Sequence, residues 1–136
     1  MCNQLGTDEL CRALRNQIEG LLQFSIELYR RSMSDRSDLT SWENPDPTES
    51  EVFFDVELWS AHVAGYATQV RYHGTIVVSD WDAITDLKGK ALADLPLVYE
   101  FVNTKREKYS DFSNYIFLVD YLRMLVIEYI EHCQAQ

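Results

Sequence analysis

Residues 111–133 read DFSNYIFLVDYLRMLVIEYIEHC, and this stretch decides the fold more than any other part of the chain. Ser110 is a suitable cap for a helix over these residues. A helix that is apolar all round must be covered on every side. The sequence therefore predicts a last helix that is either central in the core or half of a dimer interface. Its apolar positions are Tyr115, Ile116, Leu118, Val119, Tyr121, Leu122, Leu125, Val126, Tyr129 and Ile130.

The beginning of the chain predicts a long helix followed by a loop. Over residues 8–33 the apolar side chains recur every three or four positions, which is the spacing of one helical face, and Thr7 or Asp8 is a suitable cap. Residues 34–48 read SDRSDLTSWENPDPT. Two prolines and two serine–aspartate pairs in that segment favour a loop over regular structure.

The segment that follows predicts a second long helix. Thr48-Glu49-Ser50-Glu51 fits a capping box, and the apolar stripe from Val52 to Val70 has helical spacing. His73-Gly74 is a suitable end for this helix. A hairpin of Tyr66–Tyr72 against Thr75–Ser79 is the alternative, because the second of these segments is rich in β-branched residues.

Two shorter helices complete the prediction. One begins at Ser79-Asp80 and is interrupted at Lys88-Gly89-Lys90, and another begins near Pro96 and ends in the basic residues 105–108. We therefore predict a mainly α fold, a single domain over residues 1–136 built as an irregular bundle of four to five helices. The hairpin near residue 74 would make the fold α+β instead.

The charge of the chain is concentrated in its middle. The whole sequence has 22 acidic and 12 basic residues, for a net charge of −10. Residues 37–87 contain ten acids and a single base, Arg71, so a net −9 lies in that segment, together with all three tryptophans. Phosphate groups and anionic lipids need cations opposite them, so nucleic acid and membranes are not expected partners.

An acidic segment that also carries tryptophans is typical of a surface that binds a basic protein. Aromatic side chains anchor such interfaces, and carboxylates steer a cationic partner toward them. We therefore predict a non-enzymatic inhibitor that occludes a basic partner, in the manner of an immunity protein or antitoxin against a toxin nuclease. The predicted contacts are Trp42, Glu43, Asp46, Glu49, Glu51, Asp55, Asp80, Trp81 and Asp82.

Two other functions are compatible with the sequence. A structural or adapter subunit could dimerise or dock through the apolar residues 111–133. An enzyme could hold Mg²⁺ through Asp80, Asp82 and Asp86, although acids in the first turn of a helix are expected without any metal. The sequence contains no metal-binding, nucleophile or phosphate-loop motif, so we predict no catalytic residue, no cofactor and no metal site.

The three cysteines are Cys2, Cys11 and Cys133, an odd number clustered at the two ends of the chain. This pattern is not a disulfide framework and favours a reducing compartment. The first ten residues, MCNQLGTDEL, lack the basic and apolar regions of a signal peptide. The sequence therefore predicts a cytoplasmic protein.

Overall fold

The computed structural model describes the backbone of residues 2–76 and 80–134 and the side chains of residues 8–76 and 81–133. Within these residues the chain is helical and contains no strand, so the mainly α prediction is confirmed. Short helical turns of other types lie at Leu92–Asp94, which is 3₁₀, and at Ile130–Gln134, which is π. The six α-helices are α1 (Cys2–Arg31), α2 (Met33–Leu39), α3 (Pro47–His73), α4 (Asp80–Lys88), α5 (Pro96–Thr104) and α6 (Ser110–Tyr129).

α6 is the centre of the fold, which is one of the two places that the sequence predicts for it. Phe112, Ile116 and Val126 on this helix have no exposed surface, and α1 and α3 of the same chain supply most of the cover. The apolar residues of 111–133 are thus used inside the chain, which removes the reason for a dimer through them. The large apolar side chains that α6 leaves exposed are Tyr121 and Met124, each by about half.

The three long helices pack side by side, with α1 antiparallel to the other two. The ring centroids of Tyr29 on α1 and Tyr115 near the start of α6 are 5.3 Å apart, whereas Cys11 lies beside Cys133 at the other end. α3 runs in the same direction as α6, because Gly74 at its end accepts a hydrogen bond of 2.7 Å from the Tyr129 hydroxyl. This arrangement buries one face of α3 and leaves the opposite face exposed to solvent.

The first predicted loop is partly helical, which corrects the sequence prediction. Residues 33–39 form α2, where Leu39 is fully buried and the Asp35 carboxylate accepts a hydrogen bond of 3.1 Å from the Phe112 amide. Asp35 thus caps α6, and Ser110 does not. Long-range contacts of this kind override the weak local preference for a loop.

α3 occupies the segment for which a hairpin was the alternative. Residues 66–72 are helical, so the hairpin is wrong, and residues 77–79 lie outside the described part of the chain. The helix ends at Gly74, which has a left-handed φ of 69°, as predicted from His73-Gly74. Its N-cap is Asp46, whose carboxylate accepts from the Thr48 amide at 3.0 Å, rather than Thr48 itself.

Two other predictions about the ends of the chain are wrong. α1 begins at Cys2, before the predicted caps, and a disulfide joins Cys11 to Cys133 with 5.6 Å between their Cα atoms. The antiparallel packing of α1 and α6 brings these cysteines together, which residue spacing cannot predict. The pairing removes the argument from unpaired cysteines for a reducing compartment. Among the described residues no helix is both long enough and apolar enough to cross a membrane.

Candidate functional site

Trp42 is the most exposed large apolar side chain of the described residues. It lies in the short loop of residues 41–46 between α2 and α3, called here the Trp42 loop, and 90% of its surface is accessible. Glu43 beside it is also exposed. Tryptophan is usually largely buried, so an almost fully exposed one needs an explanation.

The Trp42 loop is held in place by hydrogen bonds of Asn44. The Asn44 side-chain amide donates to the Asp38 carbonyl at 3.2 Å and to the Glu49 carboxylate at 2.8 Å. Its oxygen accepts from the Asp46 amide at 3.0 Å, and Asp46 in turn caps α3. Trp42 is therefore presented on a loop that hydrogen bonds within the chain anchor.

Glu49 is the buried centre of this anchor. Its side chain is only 3% exposed and accepts hydrogen bonds from Lys105 Nζ at 2.6 Å and from the Tyr109 hydroxyl at 2.7 Å, besides Asn44. Lys105 also bonds to Asp46 at 2.5 Å. Because a buried carboxylate is costly unless it is paired and hydrogen-bonded, this network ties the Trp42 loop and α3 to the end of α5.

The pKa values agree with a structural role for this cluster. Burial is the largest single influence on Glu49 and raises its pKa, but the hydrogen bonds from Lys105, Tyr109 and Asn44 together lower it below its ordinary value. The hydrogen bond from Lys105 lowers the pKa of Asp46. Burial, followed by the bond to Glu49, raises the pKa of Tyr109. Both carboxylates are therefore ionised at neutral pH and already have cationic partners.

Glu51 and Asp55 differ from Glu49, because both point to solvent from the first turns of α3. Phe54 lies between these two acids, and Leu58 follows one helical turn later. Their side chains are 63% and 66% exposed, respectively. The sequence prediction missed these two apolar residues as surface. Their positions off the helical stripe from Val52 to Val70 could have indicated exposure. However, these two residues also alternate with Val52 and Val56, which is typical of a strand as well.

The other predicted contacts lie at the far end of α3. This helix has 27 residues, so it is about 40 Å long. α4 runs antiparallel to it, because Tyr66 bonds to Asp86 at 3.0 Å and Trp59 bonds to the Lys90 carbonyl at 2.7 Å. The start of α4 therefore faces the C-terminal end of α3, away from the Trp42 loop.

The nine predicted contacts consequently separate into three sets. Trp81, 76% exposed, and Asp82, also exposed, lie at the start of α4, while the side chain of Asp80 lies outside the described residues. Asp46 and Glu49 are engaged inside the chain. The set at the N-terminal end of α3 that faces solvent consists of Trp42, Glu43, Glu51 and Asp55.

The Asp86 carboxylate is occupied by neighbours in the chain. It accepts from the Tyr66 hydroxyl at 3.0 Å and forms an ion pair with Lys90. The Lys90 bond is the main cause of its lowered pKa. A carboxylate with both oxygens engaged is a poor ligand for Mg²⁺, so the geometry does not favour a metal site shared with Asp82.

A group with metal-ligand chemistry does occur near the end of α6. Donor atoms of Glu128, Glu131 and His132 lie within 4.8 Å of one another, and all three side chains face solvent. Glu131 is 3.0 Å from Lys88, and His132 is 3.2 Å from Glu128. The first contact is a surface ion pair and the second is a histidine–carboxylate contact one helical turn apart; both kinds are common on helices without any metal.

Similarity to other proteins does not assist the assignment. Comparison of the chain with protein-family models, with curated proteins and with solved structures gives no match. The function must therefore be argued from the exposure, contacts and charge of the residues themselves. Two features of the described residues are typical of binding surfaces. One is the exposed tryptophan on an anchored acidic loop, and the other is an apolar face of α3 that the chain does not cover.

Proposed function

We propose that this protein is a binding protein without catalytic function that occludes a basic partner, in the manner of an immunity protein or antitoxin that neutralises a nuclease toxin. The observation that carries the proposal is the 90% exposed Trp42 on a loop that is fixed from below by Glu49. A rigid aromatic anchor loses little conformational entropy on binding.

The charge around this anchor selects the chemistry of the partner. Glu43, Glu51 and Asp55 are exposed, and residues 37–87 carry ten of the 22 acids but only one base. Exposed carboxylates attract a cationic protein and pair with its lysines and arginines. A nuclease has such a cationic surface where it binds phosphates, so an acidic cover there would block the substrate.

The proposal uses fewer contacts than the sequence prediction. Asp46 and Glu49 support the loop by pairing with Lys105, so their removal would damage the fold rather than only the interface. The proposed contacts next to Trp42 are the exposed acids. Trp81 and Asp82, at the other end of α3, form a second and separate part of the surface.

The test is a pull-down from lysate of the source cells at low salt. One bait is the native protein, and a second carries the substitutions Glu43→Gln, Glu51→Gln and Asp55→Asn. We expect a basic protein to be captured by the native bait and lost from the neutralised one. The captured protein is then purified and assayed for nuclease activity with and without the native protein.

A matched bait controls for net charge. Asp8→Asn, Glu9→Gln and Glu128→Gln remove the same number of exposed carboxylates at the other end of the bundle. This bait should retain the partner, and Trp42→Ala alone should release it. Binding should also weaken as salt rises above about 0.1 M, where the Debye length is about 10 Å. Equal capture by all baits, or capture of acidic proteins only, would contradict the proposal.

A further inference from the structure

α3 carries a second apolar stripe on the side that faces solvent. We call this stripe the outward face of α3, and its members are spaced alternately by four and three positions, which is the heptad spacing of helix pairs. Phe54, Leu58 and Tyr72 are each about two-thirds exposed, so the chain leaves this face uncovered. The outward face consists of Phe54, Leu58, Ala61, Gly65, Thr68 and Tyr72.

The centre of the outward face is a depression. Ala61 and Gly65 have the smallest side chains of the stripe, and hollows of about 520 Å³ toward α1 and about 380 Å³ toward α4 both border Ala61. A methyl group added at Gly65 would meet nothing within 4 Å. A mid-helix glycine lowers helix stability relative to alanine, and the packing of this chain gives no reason for it. Close approach of another backbone would give one.

The stripe is also symmetric about its centre. If two copies of α3 cross antiparallel at the centre of the stripe, residues of the two chains lie level when their residue numbers add up to 126. The layers are then Phe54 with the partner's Tyr72, Leu58 with the partner's Thr68, and Ala61 with the partner's Gly65. Large side chains fill the outer layers, and the small ones allow the two backbones to approach at the middle.

Charge on one flank of the stripe is close to the same register: the numbers of Glu57 and Arg71 sum to 128, so the two lie about 3 Å from level, within reach of long side chains. The position before Leu58 is Glu57, and the position before Tyr72 is Arg71; both border the hollow toward α1. Residues at this flank face the same flank of an antiparallel partner. Glu57 of each chain would therefore lie beside the partner's Arg71, which gives two equivalent ion pairs in the dimer.

Both charged side chains already have contacts within the chain, which the contact between two copies would replace. Glu57 accepts a hydrogen bond from the Tyr29 hydroxyl at 2.9 Å, and no cation among the described residues pairs with it. Arg71 lies over the Tyr72 ring and forms an ion pair with Glu19 at 3.5 Å, and its side chain is 22% exposed. The new ion pair would form at the edge of the apolar contact, where opposite charges set the orientation of the helices.

We propose that the outward face of α3 binds a second copy of this chain, as an antiparallel and two-fold symmetric pair of α3 helices. A two-fold interface must be complementary to itself, and the layers and the Glu57–Arg71 pairs meet that condition. The large exposed side chains and the small residues between them would bury about 500 Å² per chain, or about 1,000 Å² in total. That is the low end of specific interfaces, so we expect a dimer that dissociates in the micromolar range.

The dimer would also change the surface proposed above for a basic partner. Within one chain the Trp42 loop and Trp81 lie at opposite ends of α3. In the antiparallel pair, the Trp42 loop of one chain lies at the same end as the partner's Trp81. This consequence rests on the proposed function, whereas the dimer itself does not.

The test measures the mass of the purified full chain by sedimentation equilibrium, from low micromolar to several hundred micromolar. We expect a monomer–dimer equilibrium for the native protein. Glu57→Arg and Arg71→Glu should each weaken it by at least about tenfold, because like charges then face each other. An equal mixture of the two variants should form a mixed dimer about as strong as the native one, since one contact keeps the native Glu57–Arg71 pair and the other has the same two charges exchanged.

A second pair of variants tests the crossing point. Gly65→Leu places a large side chain at the centre of the outward face and should abolish association, while the open space at this position leaves the monomer folded. Gly20→Leu is the matched control, because a side chain at Gly20 also meets open space and lies off the stripe. Glu9→Arg controls for the charge change.

Three results would overturn the proposal. One is a monomer at every concentration, and another is a dimer that Gly65→Leu leaves intact. The third is a mixture of Glu57→Arg and Arg71→Glu that fails to associate although each variant keeps native helicity. None of these measurements involves a basic partner, so the dimer can fail while the proposed function stands, and the reverse.

Discussion

The two faces of α3 have similar chemistry and different surroundings. The inward face packs against α6 and α1, and its members are Val52, Val56, Trp59, Val63, Ala67 and Val70, all of which are buried. The outward face repeats the same spacing of three and four with Phe54, Leu58 and Tyr72, and these remain about two-thirds exposed. A single helix thus carries two stripes that could each bury apolar area, and the folded chain covers one of them.

The difference shows why apolar periodicity predicts a helix better than it predicts a surface. Spacing establishes which residues share a face, because 3.6 residues make a turn. Which face is covered depends on the neighbours that the rest of the chain supplies. The same comparison applies to the acids of α3, where Glu49 is 3% exposed and Glu51, two residues later, faces solvent.

The largest effect is expected when a charge is placed on the inward face. Val56→Asp should lower the free energy of unfolding by about 4 kcal/mol or more, because Val56 has no exposed surface and the substitution buries a carboxylate. Leu58→Asp, two residues away, should change it by less than about 0.5 kcal/mol. Urea unfolding followed by circular dichroism measures both, at a concentration where the native protein is monomeric. Equal losses would show that the two faces do not differ in burial.

The stability cost of replacing an acid of α3 should also differ between a buried and an exposed position. Glu49→Gln leaves Lys105, whose side chain is 31% exposed, with one carboxylate instead of two. It should cost about 1.5–3 kcal/mol, the usual size for losing a hydrogen bond to a charged group. Glu51→Gln makes the same chemical change in solvent and should cost less than about 0.5 kcal/mol. Unfolding by urea at neutral pH compares them. A similar cost for both variants would remove the structural role of Glu49.

The pH dependence of stability sharpens this contrast. Glu49 has an ordinary pKa of 4.5, which the hydrogen bonds of the folded chain lower despite burial. A carboxylate with a lowered folded pKa contributes stability above its ordinary pKa, and the contribution is lost as the pH falls through the folded value. Unfolding free energies should therefore fall below about pH 4.5 in the native protein, and fall less in Glu49→Gln. If the unfolding free energy of Glu49→Gln falls at acid pH as much as that of the native protein, the lowered pKa of Glu49 is not the cause of the fall.

The smallest effect concerns the glycine of the outward face. Gly65→Ala should raise the free energy of unfolding of the monomer by about 0.5–1 kcal/mol, because alanine favours helix and the added methyl meets nothing. Gly20→Ala should stabilise α1 by a similar amount. Thermal unfolding at low protein concentration would detect both shifts. A loss of stability in Gly65→Ala would mean that the glycine has a role inside the monomer.

Part of the candidate site could be predicted from the sequence, and the reasons are local. The concentration of acids and tryptophans in residues 37–87 is visible by counting, and Trp59 follows the stripe with Val56 and is 4% exposed. The exposure of Trp42 could not be predicted, because it depends on how Asn44 and Glu49 hold the loop. The pairing of Glu49 with Lys105 joins residues 56 positions apart, and no spacing rule connects them.

The sequence by itself determined the mainly α fold, the end of α3 at Gly74, the start of α5 at Pro96 and the apolar character of α6 on nearly every face. Each of these follows from periodicity or from the backbone preferences of one or two residues, which act over a few positions. Only the tertiary structure decided the disulfide between Cys11 and Cys133, the cap that Asp35 provides for α6, and the face of α3 that stays open. Those features depend on contacts between segments distant in the chain, so they exist only after the helices have packed.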